Sequence, residues 1–216
     1  MDLSISGRNS TFTGRYTYPR SRSDSVRKKQ EQVRQRIIEA AYDSFWRSGF
    51  ARTNVDGIAA RAKLTKRTVY SYFRSKDDLL AAVLRHHAEL ATTRLQHIQD
   101  RMPTDRDGLI DSFFGQLAGW ARSTPRWSGS GLTRLVVELA DLPGHPARPI
   151  AQGAKATTEA WLTERLREAK VAGSPARARD VMLLMEGAMM LVLIHGDISY
   201  MEAAASAAKR LVRKRG

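Results

Sequence analysis

The sequence predicts an all-α protein of about nine helices. Apolar residues recur three and four positions apart from residue 26 onward, and no segment alternates in the way of a strand. Breaks rich in Pro, Gly and Ser separate the periodic segments. We predict three parts: a disordered basic arm at 1–25, a three-helix helix-turn-helix domain at 26–75 and a helical body at 76–216.

The N-terminal part begins with a segment that lacks periodicity. Residues 1–25 are rich in Ser, Thr, Arg and Gly, which predicts disorder. They are either a basic arm that contacts DNA or a tail without a role. The first helix then runs from about Val26 to Ser48. Its core-facing residues share a four-residue spacing: Val33, Ile37, Ala41 and Phe45.

Two short helices follow, joined by the four-residue turn "AKLT" at 62–65. Asn54 is a good N-cap for the second helix and Thr65 for the third. Val69 and Phe73 are four residues apart, so they can seat the third helix on the core beside Ile37, Phe45 and Ile58. This arrangement predicts a helix-turn-helix, whose second helix enters the DNA major groove.

The body is predicted as six further helices. The fourth helix begins after Ser75, where Asp77 and Asp78 suit the positive end of a helix dipole. The later helices are predicted at 105–122, 130–141, 147–171, 176–195 and 198–213.

The charge distribution suggests a polyanionic partner. The formal net charge is +14, and residues 1–80 carry +9 of it while residues 81–208 are neutral. A basic end of this kind is typical of nucleic-acid binding, although a solvated basic surface has the same composition. The chain has no cysteine, which fits a cytoplasmic protein. The most apolar run, 181–194, carries Glu186 and is shorter than the about 20 residues of a membrane span, so we expect no membrane association.

The free face of the third helix is cationic, hydroxylated and aromatic. Lys66, Arg67 and Tyr70 lie near its N-terminal end, where base contacts are made, and Lys and Arg match the O6 and N7 acceptors of guanine. Lys66 and Arg67 read bases or, alternatively, contact phosphates. Side chains suited to phosphate contacts are Thr65, Thr68, Tyr72 and Lys76.

Residues 50–80, "FARTNVDGIAARAKLTKRTVYSYFRSKDDLL", resemble the DNA-binding segment of the tetracycline-repressor (TetR) family. The matching positions are Thr53, Asn54, Val55, Ile58, Ala59, Leu64, Thr65, Thr68, Val69, Tyr70, Tyr72, Phe73, Lys76 and Leu79. The resemblance implies a DNA-binding role that includes Thr53 and Asn54. It departs from the family at Lys63, where Gly is usual. If Lys63 has a positive φ, it is strained by about 1 kcal/mol and adds a cation that can contact phosphate.

The resemblance also implies a homodimer and an effector site in the body. The last two helices, about 176–213, would pair with their symmetry mates, and the dimer would face a palindromic DNA operator. A small apolar effector would release the operator. Flexible thioethers and aromatic rings suit such a site. The candidate lining residues, which equally fit plain core packing, are Phe113, Phe114, Trp120, Trp127, Glu138, Trp161, Met182, Met185, Glu186 and Met189.

Catalysis has little support in the sequence. The five histidines form no H-E-x-x-H metal signature, and no Gly-rich phosphate loop follows a strand. We therefore expect no enzyme activity, no metal and no cofactor. The alternatives to a ligand-released repressor are a constitutive repressor, an activator and a nonspecific nucleoid-type DNA-binding protein.

Overall fold

The computed structural model describes residues 22–99, 102–124, 127 and 129–213. These residues form nine helices and no strand, which confirms the predicted all-α class. The helices are α1 Arg22–Ser48, α2 Val55–Arg61, α3 Lys66–Tyr72, α4 Lys76–Gln99, α5 Arg106–Ser123, α6 Gly131–Val137, α7 Ala147–Glu168, α8 Ser174–His195 and α9 Ser199–Arg213.

Several predicted boundaries were wrong by a few residues. Helix α1 begins at Arg22, so the last four residues of the predicted arm are helical, with Asp24 in the first turn and 3.8 Å from Arg27. The rest of the arm lies outside the described residues. Helix α6 ends at Val137 instead of 141, because residues 138–142 continue as turns with three-residue hydrogen bonds. Helix α7 ends at Glu168 instead of 171.

The core consists of two clusters that do not follow the predicted boundary at residue 75. The first joins α1–α3 and the start of α4 to Leu132, Leu135 and Leu139 around α6 and to the beginning of α7. The second joins α5, the end of α7, α8 and α9. Helix α6 thus belongs by packing to the helix-turn-helix domain, although it lies in the body by sequence.

Helices α5 and α9 are also linked by charge. Lys209 lies 2.7 Å from Asp111, Arg122 lies 3.7 Å from Glu202, and Arg213 pairs with Asp107. The hydrogen bond from Arg213 lowers the pKa of the Asp107 carboxyl below its usual range.

None of the helices in the described part of the chain is long and apolar enough to cross a bilayer.

Candidate DNA-binding interface

The turn between α2 and α3 is a Schellman motif. The Leu64 N–H donates to the Ala59 carbonyl at 2.9 Å, and the Lys63 N–H donates to the Ala60 carbonyl at 3.0 Å. Lys63 has φ +54°, so it adopts the left-handed conformation in which lysine is strained. Lysine replaces the usual glycine at this position, and its side chain is exposed. Lysine at this strained position adds a positive charge to the turn that leads into α3.

The hydroxyl groups of Thr65 and Thr68 hold the start of α3. Thr65 Oγ1 accepts from the Thr68 N–H at 3.1 Å and lies 2.8 Å from Thr68 Oγ1. This N-cap satisfies a backbone donor that the helix itself leaves free. Val69 and Phe73 are buried in the same cluster as Ile37, Phe45 and Ile58, as the spacing predicted. The opposite face of α3 is therefore directed away from the core.

That outer face carries Arg67 and Tyr70, and Tyr70 is 46% exposed. Arg67 is exposed and forms no ion pair with any residue that the structure describes. Ser71 and Arg74 are exposed nearby, and the sequence analysis did not single them out. Tyr72 differs from Tyr70, since it is half-buried and packs against the core cluster. Arg67 and Tyr70 are therefore accessible to a partner on this face.

Lys66 is exposed but has a partner. Its Nζ lies 2.9 Å from Asp56 Oδ2 on α2. The hydrogen bond and the charge of Asp56 raise the pKa of the Lys66 ammonium above its usual value. A contact of Lys66 with DNA therefore requires this exposed ion pair to open or to be shared.

Three other predicted contacts serve the protein itself. Lys76 Nζ donates to the carbonyls of Phe50 and Thr53, both at 3.1 Å, and lies 4.3 Å from the centre of the Phe50 ring. Thr53 is buried, and its hydroxyl is within reach of the Gly49 carbonyl at 2.6 Å and the Ser44 carbonyl at 3.2 Å. Asn54 is exposed and caps α2 through the Gly57 N–H at 2.8 Å. Lys76, predicted as a phosphate contact, and Thr53, predicted as a DNA-binding residue, thus form internal hydrogen bonds that fix the loop before α2.

The helix-turn-helix segment matches a known protein family. Residues 37–83 match the family model described as bacterial regulatory proteins of the tetR family. The matched segment contains α2 and α3, the caps and the turn described above. This segment of the chain is therefore a DNA-binding domain of the TetR-family type.

Relatives of known name agree with this assignment. A transcriptional repressor of the helix-turn-helix type from Streptomyces coelicolor is 43% identical over 54 residues, 25% of this chain and 28% of the repressor. This match thus covers less than a third of the relative's length. UidR, a transcriptional regulator of Escherichia coli, is 24% identical over 188 residues, 83% of this chain and 87% of its own.

Solved structures show that the fold extends over the body. A TetR-family regulator from Streptomyces coelicolor superposes with a TM-score of 0.75 at 23% identity, covering 85% of this chain and 96% of its own. Reduced NemR from Escherichia coli superposes with a TM-score of 0.73 at 20% identity, covering 83% and 96%.

Helix α6 is one of the elements that connect the TetR-type domain to the body. Arg134 of α6 donates to the carbonyl of Phe45 at 3.3 Å and to that of Trp46, at the C-terminal end of α1. Glu138 accepts from the Ala51 N–H at 3.0 Å in the next loop. A cation at the end of a helix and a carboxylate on a free N–H both stabilise this corner.

Two further contacts secure the same corner. The Trp46 ring lies so close to Gly131 of α6 that an added Cβ would stand 1.7 Å from it. His145, after α6, is buried. Its Nδ1 accepts from the Ala147 N–H at 3.1 Å, and its Nε2 lies 3.6 Å from Asp77 Oδ1 at the start of α4. Arg134, Trp46 and His145 were not among the predicted functional residues, because these contacts join residues that are distant in the chain.

The candidate effector residues lie in four separate places. Glu138 lies at the α1 corner, apart from the other candidates. Glu186 and Met189 line a narrow cleft beside α6. Phe114 lines a groove between α5 and α9. The remaining residues pack in or against the second core cluster: Phe113, Trp120, Trp127, Trp161, Met182 and Met185.

The side chain of Glu186 on α8 bonds to residues of both α6 and α7. It forms an ion pair with Lys155 of α7 and accepts from the Thr133 hydroxyl of α6 at 2.7 Å. Lys155 Nζ also lies 3.3 Å from Ser130 Oγ, the N-cap of α6. Helix α6 therefore contacts the DNA-binding domain through Arg134 and Glu138 and the body's polar network through Thr133.

Proposed function

We propose that this protein is a sequence-specific DNA-binding regulator of transcription, acting in the cytoplasm as a homodimeric repressor. The observation that supports this most directly is the outer face of α3. Arg67 and Tyr70 are exposed there, on a helix whose inner face is buried and whose start is capped. Arginine is the commonest specific partner of guanine in the major groove. Exposed Lys63 and Arg74 flank this face and are suited to phosphate.

The proposed dimer forms through an apolar face of α8. Leu183, Met190, Leu191 and Ile194 are 38–69% exposed and repeat with helical spacing along one side. An exposed apolar stripe of this length is typical of an interface. On α9, Met201, Ala204, Ala205 and Ala208 are buried inside the protomer. We therefore assign the larger share of the dimer contact to α8.

The twofold symmetry of the proposed dimer predicts a palindromic operator. Two α3 helices related by a twofold axis would read half-sites about one DNA turn, 34–36 Å, apart in a palindrome. We further propose that a small molecule bound in the body weakens this contact. The support is the position of α6, whose side chains contact both the α1 corner and the Glu186–Lys155 network.

The experiment is a binding titration of the full-length protein on the DNA upstream of its own gene, with random DNA as competitor. We expect a bounded, palindromic footprint with two protomers per site. Arg67→Ala should lose about 1–3 kcal/mol at the base that it reads while retaining binding to random DNA. The matched control is Arg122→Ala on α5, which should leave both affinities unchanged. Featureless coverage would instead indicate a nucleoid-type protein, and equal loss on both DNAs would make Arg67 a phosphate contact.

A further inference from the structure

A surface groove runs between α6 and α7, and Thr133, which binds Glu186, is among its lining residues. Its volume is about 680 Å³. The lining residues are Leu132, Thr133, Val136, Val137, Ala140, Pro143, Arg148, Pro149, Ala151, Gln152 and Lys155. Apolar side chains and prolines form most of the walls, and the only ionisable groups among these lining residues are two cations.

The two cations differ in availability. Lys155 is paired with Glu186, so its charge is largely neutralised. Arg148 contacts only the carbonyls of Leu139 and Ala140, at 3.4 and 3.3 Å, and has no carboxylate within 4 Å in the described part of the chain. The first turn of α7, which carries Arg148, has no acidic residue either. The Arg148 end of the groove is therefore complementary to an anion.

The two cations mark two positions in the groove, and only the position at Arg148 has a charge without a carboxylate partner among the residues that the structure describes. Arg148 and Lys155 are seven residues apart on α7, or about 10 Å along its axis. The same groove is lined by Val136, Val137 and Pro149, which offer apolar contact. A molecule with one anionic end and an extended apolar body fits this order of groups, with its anion at Arg148.

We propose that the α6–α7 groove binds an amphipathic anion, such as a medium-chain carboxylate, and that this molecule is the effector. The regulatory half of the inference rests on the proposed function. Thr133 lines the groove and donates to Glu186, and its neighbour Arg134 holds the end of α1. A ligand wedged against α6 therefore changes the position of the helix that anchors the DNA-binding domain.

The first test compares three probes that share one chain and differ in head group: decanoate, decanol and decyltrimethylammonium. Calorimetric titration of the full-length protein should show decanoate binding at least tenfold more tightly than decanol, and no binding of the cation. Arg148→Gln should weaken decanoate about tenfold, equivalent to about 1.4 kcal/mol, and leave decanol unchanged. Equal binding of the three probes, tighter binding of the cation, or no binding at all would overturn the proposed site.

A second pair of variants tests the location without disturbing the core. Val137 lines the groove and is 62% exposed, so Val137→Glu and Val137→Lys should both fold. The glutamate should weaken decanoate at least tenfold, and the lysine should not. Leu142→Glu, also at an exposed position but outside the groove lining, is the charge-matched control and should leave decanoate unchanged. If it weakens decanoate as much as Val137→Glu, the anion binds elsewhere.

Operator binding separates the two halves of the proposal. Decanoate should weaken operator affinity in the wild type and not in Arg148→Gln. If decanoate binds the groove but operator affinity stays the same, the site stands and its regulatory role is refuted. If the protein has no operator yet binds decanoate as described, the proposed function fails and the site remains.

Discussion

Replacing Arg134 with methionine tests whether α6 holds the DNA-binding domain. The side chain is half-buried, and its guanidinium donates to the carbonyls of Phe45 and Trp46. A hydrogen bond to a charged group contributes about 1.5–3 kcal/mol. Because the Phe45 carbonyl also accepts from the Gly49 N–H at 2.9 Å, one such bond is a better measure of the loss than two. We expect Arg134→Met to lower the free energy of unfolding by about 2 kcal/mol.

Thermal unfolding measures this effect. For a protein of this size, about 2 kcal/mol corresponds to a fall in Tm of about 4–8 °C. The control is Arg122→Met, because Arg122 pairs with Glu202 at 3.7 Å and both side chains are mostly exposed. An exposed pair contributes at most about 1 kcal/mol, so the control should change Tm by no more than a few degrees. Equal shifts in the two variants would refute the anchoring role of Arg134, as would an unchanged Tm in Arg134→Met.

Three other substitutions test separate features. Leu183→Glu combined with Ile194→Glu should convert the dimer into a monomer in light scattering, because both side chains are more than 60% exposed on the apolar face of α8; a persistent dimer would place the interface elsewhere. Lys63→Gly should raise stability by about 1 kcal/mol through relief of positive φ, and should flatten the salt dependence of operator binding if the ammonium contacts phosphate. Gly131→Ala should cost about 1–3 kcal/mol by clashing with Trp46, whereas Gly153→Ala, with open space around it, should not destabilise the fold.

The recognition segment was predictable because its structure is determined locally. The caps of α2 and α3, the turn between them and the pair Val69 and Phe73 are all encoded within about twenty residues. Lys63 illustrates this, since its positive φ follows from the position that it occupies in the turn. Helix content and most boundaries were predictable for the same reason.

Side-chain direction was less predictable. Lys76 was predicted to contact phosphate and Thr53 to bind DNA. In the structure, both side chains lie instead within hydrogen-bond distance of backbone carbonyls of the same domain. Phe50 decides the direction of Lys76, because its ring and carbonyl form the surface that the ammonium meets. The partners of Glu138 and Arg134 are 87–89 residues away in sequence. A single sequence carries no local sign of such contacts, which is why Glu138 was assigned to the effector site.

The length of α6 explains why these distant contacts matter. A helix of seven residues is too short to be stable alone in water, so its neighbours determine its position. Arg134 and Glu138 tie α6 to the α1 corner, and Thr133 ties it to Glu186. We therefore expect a change in either set of contacts to shift the position of α6. Because Thr133 and Arg134 are adjacent in sequence, we propose that a displacement on the groove side is transmitted to the α1 corner through a single turn of helix.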